Sequence, residues 1–518
     1  MPLHKETESV EQEYVTGRGD VPAVINKTGL WRFATPVRRE KAAPCTAACP
    51  LHCRIPTWVG ELAKGDLQGA WRLLSPSNPF PAVTGHVCYH FCENNCNRGE
   101  HDVAIAVREL EKAVGAWRHK TAAGFALPAY GRHTAAVVGA GPSGLACAYY
   151  LAQLGIRTTV FEREEVPGGL LAWGIPARRL PRRILAEEIA LLKAMGITIL
   201  TGTEVRSEQY AALLQDFDAL FVATGAGREK KLHIPGENLD GVEGAVSFLK
   251  ALQLGKTVPP RGMVVVAGGG NTAMDAAVAA GRGGAEVIVV YRRTRREMPA
   301  HPEEVTAAEE AGVKILEQVQ VLEAVGTDSV QGVRLRRGGE KNGQPPAEFY
   351  LECAKLLVAV GQEPGCPQAP QPGLFYGGDF LTGPSTVPAA MAEGRRGARA
   401  IAFYLGYPAE KVDTVVQPPE KRELMPLPYH ALHTAAFPKA GRKNVHEEEA
   451  ARCFSCGYCN GCGFCWYFCP DLAMVPAGDN FTVLTDYCKG CGICAEECPG
   501  RILEMEVSAD GQPAYDGK

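Results

Sequence analysis

One cysteine pattern is spelled twice towards the C-terminus. Cys459, Cys462, Cys465 and Cys469 run into Pro470, and Cys488, Cys491, Cys494 and Cys498 run into Pro499, so C-x2-C-x2-C-x3-C-P recurs after 29 residues. Short spacings let three thiolates wrap one 4Fe–4S cube, while the fourth reaches a neighbouring cube. One cube would therefore take Cys459, Cys462, Cys465 and Cys498, and the other Cys488, Cys491, Cys494 and Cys469. Zinc or unligated thiols are the plainer reading, but an undirected fold has no use for the doubling. Few local patterns leave a chain so little freedom.

The full chain has 518 residues and 19 cysteines, enough length for several domains. Its start is polar (His4, Lys5, Glu6, Glu8) with no apolar core, so no secretory leader is expected and the thiols read as metal ligands in the cytoplasm. A net charge of −4 gives no global pull towards nucleic acid or an anionic membrane. Two long apolar stretches, 134–156 and 262–281, contain Gly-rich turns and read as buried strand–turn–helix units rather than membrane spans. Residues 1 to about 40 read as polar and irregular. A helical region with two cysteine groups follows, then alternating strands and helices to about residue 405, and a Pro- and Lys-rich linker over 415–443.

The second internal echo is a glycine-rich turn. Val137-Val138 runs into Gly139-Ala140-Gly141-Pro142-Ser143-Gly144 and a helix from Leu145. A strand from Thr158 to Phe161 then ends at Glu162, 23 residues after Gly139. Such glycines let a pyrophosphate approach the helix N-terminus, and the acid suits a ribose hydroxyl. The second copy is Gly268-Gly269-Gly270-Asn271-Thr272-Ala273, again after an apolar strand. Its next strand, Glu286 to Val290, is followed by Tyr291, Arg292 and Arg293 in place of an acid. Guanidinium groups bind a ribose 2′-phosphate that a carboxylate would repel, so NADPH is expected ahead of NADH.

These motifs carry a resemblance. The last 65 or so residues resemble a bacterial two-cluster ferredoxin. From Ala42 to about Leu405 the chain resembles the glutamate synthase small subunit and its relatives, among them the large subunit of NADH-dependent ferredoxin:NADP oxidoreductase and the N-terminal part of dihydropyrimidine dehydrogenase. Matching stretches are Gly168-Gly169-Leu170, Gly174-Ile175-Pro176, Arg179-Leu180-Pro181, Ala223-Thr224-Gly225, 268–277, Gly378-Asp379 and Gly383 to Val387. The resemblance implies an α/β flavoprotein with an NADPH domain inserted in an FAD domain, both Rossmann-like. A helical iron–sulfur domain would precede them and an α+β ferredoxin domain would follow.

The resemblance also implies boundaries: an extension at 1–41, the helical domain at 42–128, FAD segments at 129–255 and 364–410, the NADPH domain at 256–363, a linker at 411–446 and the ferredoxin domain at 447–518. It places Gly139, Ala140, Gly141, Ser143, Gly144, Glu162, Gly169, Leu170, Arg179, Val205, Thr224, Gly225, Gly378, Asp379, Thr386 and Val387 at FAD. It places Gly269, Gly270, Asn271, Thr272, Arg292, Arg293 and Gly361 at NADPH.

Two further cysteine groups, Cys45/Cys49/Cys53 and Cys88/Cys92/Cys96, are each too small for a cube. In the resembling family this region holds two clusters, and the first begins with an Arg-Cys-x2-Cys signature just upstream. Here that signature stands far downstream, as Arg452-Cys453-Phe454-Ser455-Cys456. We therefore expect Cys453 and Cys456 to fold back and join Cys45 and Cys96. Cys49, Cys88 and Cys92 would serve the other cluster. Relatives place a non-cysteine ligand in the helix beyond, where Glu111 matches, with Cys53 as its rival. Setting aside Cys53, Cys147, Cys353 and Cys366 from the 19 leaves 15 thiolates, which with Glu111 suffice for four cubes.

The expected function is an FAD-dependent NAD(P)H oxidoreductase passing electrons through 4Fe–4S clusters to or from ferredoxin or a low-potential partner subunit, in a hetero-oligomer. The alternative is an electron-transfer subunit with no turnover of its own. Disulfide-reductase chemistry is disfavoured, because no close cysteine pair follows Cys147 before Cys453. No catalytic side chain is expected, since a hydride step needs orientation rather than a protein acid or base.

Overall fold

The computed structural model describes residues 28–121, 129–338, 347–408 and 445–507, apart from 460 and 479. Most of the expected linker lies outside the described residues. The chain forms two compact units, one from the described residues of 1–78, 90–114 and 414–518, the other from those of 79–89 and 115–413.

The second unit holds two parallel five-stranded sheets. In the first, the order is Leu374–Tyr376, Ala219–Val222, Thr134–Val138, Arg157–Phe161, Thr198–Leu200. The apolar run Ala135–Val138 is buried because helices cover both faces of such a sheet. The chain winds outwards from Thr134–Val138, then returns to its other side at Ala219–Val222. A crevice opens at that reversal, beyond the carboxyl ends of the strands.

The second sheet repeats the plan in the order Lys314–Glu317, Glu286–Tyr291, Met263–Ala267, Lys355–Val358, Val242–Gly244. Its switch point lies between Met263–Ala267 and Lys355–Val358. Beside it, Val319–Gly326, Val330–Arg337 and Ala347–Glu352 form an antiparallel sheet. Tyr291 belongs to the strand that the sequence pattern ends at Val290. Likewise, the helix expected from Leu145 starts at Pro142, where proline suits the first turn.

The first unit is built from short helices, including Ile55–Ala63, Leu67–Leu74 and Val445–Ala451. Leu67–Leu74 is capped by Asp66, whose carboxylate accepts from the Gly69 N–H at 2.8 Å. Residues 28–41, expected to be irregular, are ordered by the C-terminal module. Ala34–Arg38 pairs antiparallel with Leu503–Val507. On either side of that strand, Gly29 N–H donates to Asp486 O at 2.9 Å and Lys41 N–H to Gly457 O at 2.9 Å. The sequence pattern misses this strand because its partner lies more than 460 residues away.

Candidate functional site

The two glycine-rich turns are built alike. Gly139 N–H donates to Phe161 O at 2.8 Å and Gly268 N–H to Val290 O at 3.0 Å. Both residues have positive φ (103° and 146°), and a Cβ would meet Ala223 O at 2.5 Å in the first and Ala359 O at 2.2 Å in the second. Only glycine fits either place.

An open cleft of 1710 Å³, counting the part open to solvent, lies at the first turn. Gly139, Gly141, Ser143, Glu162, Gly169, Leu170, Val205, Thr224, Gly225, Asp379, Thr386 and Val387 all line it. Ala140, Gly144 and Gly378 stand behind the lining. The Ala140 N–H donates to Glu162 Oε2 at 2.8 Å, while a Cβ on Gly144 would strike Gly139 O and one on Gly378 would strike Ser143. Glu162 is thereby aimed by its own loop, its Oε1 accepting from Glu164 N–H at 3.0 Å. Ser385 Oγ donates to Asp379 Oδ1 at 2.6 Å, and burial pushes the Asp379 carboxyl up.

The cleft fits a dinucleotide on its own chemistry. Ser143 lies in the first turn of the helix Pro142–Gln153, and its buried Oγ has no hydrogen-bond partner, nor has the buried Trp173 Nε1. A phosphate group at the helix N-terminus and a polar edge beside the indole would satisfy both. Trp173, Lys250 and Ser247 were not expected at the cleft. Trp173 and Lys250 sit outside the glycine motifs, and a lone tryptophan or lysine on a helix carries no spacing signal. No cysteine lines the cleft. Burial pushes the Cys353 thiol up to about 11, and Cys147 sits in the core.

Arg179 is not at the cleft. Its guanidinium pairs with Asp275 at 2.7 Å and Glu304 at 2.9 Å, and its Nη2 donates to the Tyr89 hydroxyl at 3.1 Å. At the second turn, Gly269 packs against the Tyr291 ring, so the tyrosine fills the place of the missing acid. Gly270 precedes the helix Asn271–Gly281, which holds Thr272 in its first turn. Asn271 Oδ1 accepts from His301 N–H at 2.8 Å. Gly361 lies just past the strand Lys355–Val358, at the switch point. Arg292 and Arg293 are exposed and enter no ion pair among the described residues, whereas Arg295 is tied to Glu309.

The thiols gather into sets. Cys459, Cys462, Cys465 and Cys498 line one small cavity, and Cys469, Cys488, Cys491 and Cys494 line another. Arg38 and Pro36, from the strand missed in the sequence, line the first and the second respectively. Burial pushes Cys465 up to about 12 and Cys494 to about 11, and the neighbouring thiols of each set push the same way.

A third set joins Cys45 and Cys96 to Cys453 and Cys456. Burial raises the Cys45 thiol well above its ordinary range, and Cys453, Cys96 and Cys456 reinforce the shift. Arg452 anchors the fold-back, with Nη1 2.7 Å from Glu449 Oε1 and Nη2 3.1 Å from Asp102 Oδ1, while Arg98 Nη1 donates to Arg452 O at 3.2 Å. Asn97 Nδ2 donates to Cys456 Sγ at 3.4 Å. In a fourth place, Cys49 has Cys53 and Glu111 as neighbours. Cys92 is buried in the helix Phe91–Asn94, and Cys88 caps the helix Pro81–Val87 of the other unit.

Crowded buried thiols resist ionisation, and bound iron would supply the compensating positive charge. Among the described residues no three His, Cys, Asp or Glu side chains converge on a single ion. Four thiols are the ligand number of a 4Fe–4S cube, and each C-terminal cavity is lined by four. No described helix is long and apolar enough to cross a membrane.

Comparison with known proteins agrees with this architecture. Residues 133–373 match the pyridine nucleotide-disulphide oxidoreductase family, 38–123 match dihydropyrimidine dehydrogenase domain II with its 4Fe–4S cluster, and 481–504 match a 4Fe–4S binding domain. The chain thus combines a pyridine nucleotide oxidoreductase domain with 4Fe–4S domains on either side of it. It is 36% identical over 430 residues to the NADP(+)-dependent formate dehydrogenase subunit beta of Moorella thermoacetica, covering 70% of this chain and 60% of that one. It is 33% identical to the NADPH-Fe(3+) oxidoreductase subunit beta of Geobacter sulfurreducens, covering 70% and 64%. It therefore spans less than two thirds of the length of these two relatives. The Escherichia coli glutamate synthase [NADPH] small chain is 31% identical over 422 residues, 70% of this chain and 88% of that one. The chain belongs to the glutamate synthase small-chain family.

Proposed function

We propose that the chain exchanges electrons between NADPH and one-electron carriers, in either direction, as one subunit of a hetero-oligomer. When bound, FAD supplies the conversion between a hydride's electron pair and single electrons, which four 4Fe–4S clusters carry onward. The observation that carries the reading is the union in one chain of a flavin-type cleft with thiol sets of cluster size.

In this reading Gly139, Ala140, Gly141, Ser143 and Gly144 hold the FAD pyrophosphate and Glu162 the ribose. Gly169, Leu170, Val205, Thr224, Gly225, Gly378, Asp379, Thr386 and Val387 line the rest of the cofactor's path. Arg179 serves elsewhere, as a tie between the dinucleotide folds. Gly269, Gly270, Asn271, Thr272 and Gly361 cradle NADPH, and the unpaired Arg292 and Arg293 take its 2′-phosphate. The names of the relatives, which specify NADP(+) or NADPH, support that preference over NADH.

The C-terminal cubes take the two interleaved sets, and an N-terminal cube takes Cys45, Cys96, Cys453 and Cys456. The fourth cube takes Cys49, Cys92 and Glu111, with Cys88 assigned from the sequence alone. The domain boundaries expected from the sequence are part of the same proposal, with residues 28–41 now joined to the ferredoxin domain. We place the chain in the cytoplasm, where such thiols stay reduced, with ferredoxin or a low-potential enzyme subunit as its partner.

A second reading is favoured by one observation, that the relatives are named as subunits. The chain would then turn over only within its complex. Anaerobic reduction of a viologen by the isolated chain, loaded with flavin and iron, separates the two. NADPH-driven reduction faster than NADH-driven reduction is expected, and a loaded chain that reduces viologen with neither nucleotide hands the case to the second reading.

A further inference from the structure

The buried carboxylate of Glu111 is gripped from two directions. Asn78 Nδ2 donates to Glu111 Oε1 at 3.4 Å, and His90 Nε2 lies 3.2 Å from Glu111 Oε2. The three side chains are 0%, 4% and 6% exposed for Asn78, His90 and Glu111. They come from separate segments of the first unit. Asn78 sits in the turn after Leu67–Leu74, where its N–H donates to Leu74 O at 2.9 Å. Glu111 sits on the helix Val107–Thr121.

His90 is the informative member. It caps the helix Phe91–Asn94, which carries Cys92, and does so in the left-handed region with φ 43° and ψ 57°. A side chain held in that region marks a place where the surroundings dictate the backbone. Here the turn leads into the helix that carries Cys92 while the imidazole lies against Glu111. Cys53 is fully buried and neighbours Cys49.

We propose that Asn78 and His90 are positioning residues that hold Glu111 as the fourth iron ligand beside Cys49 and Cys92. This rests on the ligand assignment proposed above. A carboxylate oxygen that accepts one hydrogen bond can still offer its second lone pair to a metal. Partners of this kind orient metal ligands, and hydrogen bonds to cluster sulfurs set reduction potentials.

The test uses the full chain, anaerobically reconstituted, with iron content and the electron paramagnetic resonance spectrum of the reduced protein as readouts. Flavin content and the ferredoxin-type signals report correct folding. Glu111→Ala should lose one N-terminal cluster signal. Cys53→Ala should keep the wild-type iron content. His90→Leu and Asn78→Leu should each alter the shape of that signal alone, and His90→Gln, which still donates, should restore it. Should a leucine variant fail to fold, Asn78→Ser and His90→Ala replace them. If Cys53→Ala loses the cluster while Glu111→Ala keeps it, the ligand assignment itself falls. If Glu111→Ala loses it but the Asn78 and His90 variants give the wild-type signal, only the positioning role is overturned.

Discussion

Arg179 Nη1 lies 2.7 Å from Asp275 Oδ2, and the pair joins the two dinucleotide folds. Asp275 stands on the helix after the second glycine-rich turn, and Arg179 follows the first fold's Gly174-Ile175-Pro176 stretch. Burial pushes the Asp275 carboxyl up to about 6 against the pull of Arg179, so the pair is charged at neutral pH. Arg179→Met should lower stability by about 3 kcal/mol, because it leaves a buried carboxylate short of its cation. Denaturant unfolding of the loaded protein measures this, and Arg179→Met with Asp275→Leu should recover much of the loss.

The fold-back of Arg452-Cys453 predicts a selective defect. Cys453→Ser should reduce iron from roughly 16 to about 12 atoms per chain, one cube fewer. Both ferredoxin-type signals should persist in the spectrum of the reduced variant. A wild-type iron count in that variant would remove Cys453 from the ligand set.

Replacing Arg292 and Arg293 together by alanine should weaken NADPH and spare NADH. Charge-assisted hydrogen bonds to a phosphate contribute about 1.5–3 kcal/mol each, so kcat/KM for NADPH should fall by about a hundredfold or more when both are lost. Steady-state rates with both nucleotides report it, and an equal fall for NADH would mean that the arginines do not read the 2′-phosphate.

His119 offers a pH test in the second unit. Burial works against its charged form, but the close approach of Glu188, together with the charges of Glu188 and Glu187, holds its pKa above the ordinary value. Its stabilising contribution is therefore complete below about pH 6.5 and is lost as pH rises through the higher folded value. The gap in thermal midpoint between wild type and His119→Gln should be wide at pH 6 and narrow at pH 9. A gap that does not change with pH would show that the imidazole stays neutral throughout.

Local patterns made much of this protein legible. The turns at Gly139 and Gly268 are legible because their glycines, strands and helices lie within a few residues of one another. The interleaved thiol sets are legible because C-x2-C spacing is itself a geometric statement. Long-range relations outside the cysteine signatures were not. Arg179 sits in a recognisable stretch, yet its partners Asp275 and Glu304 come from another fold, and no spacing links them. Asn78 and His90 carry no motif, since a neighbour that orients a ligand is chosen by three-dimensional packing. The strand Ala34–Arg38 looks irregular because the strand that orders it, Leu503–Val507, lies more than 460 residues away.

That last strand has a consequence for how the protein is made. Its ladder with Leu503–Val507 cannot close until nearly the whole chain has left the ribosome. The second unit's two sheets draw on no strand beyond Tyr376 and can form earlier in synthesis. The walls that Pro36 and Arg38 give the C-terminal thiol cavities arrive last. Completion of the C-terminal thiol cavities is thus a late event in biosynthesis, and a chain truncated before Leu503 would carry the cleft at Gly139 without finished cavities.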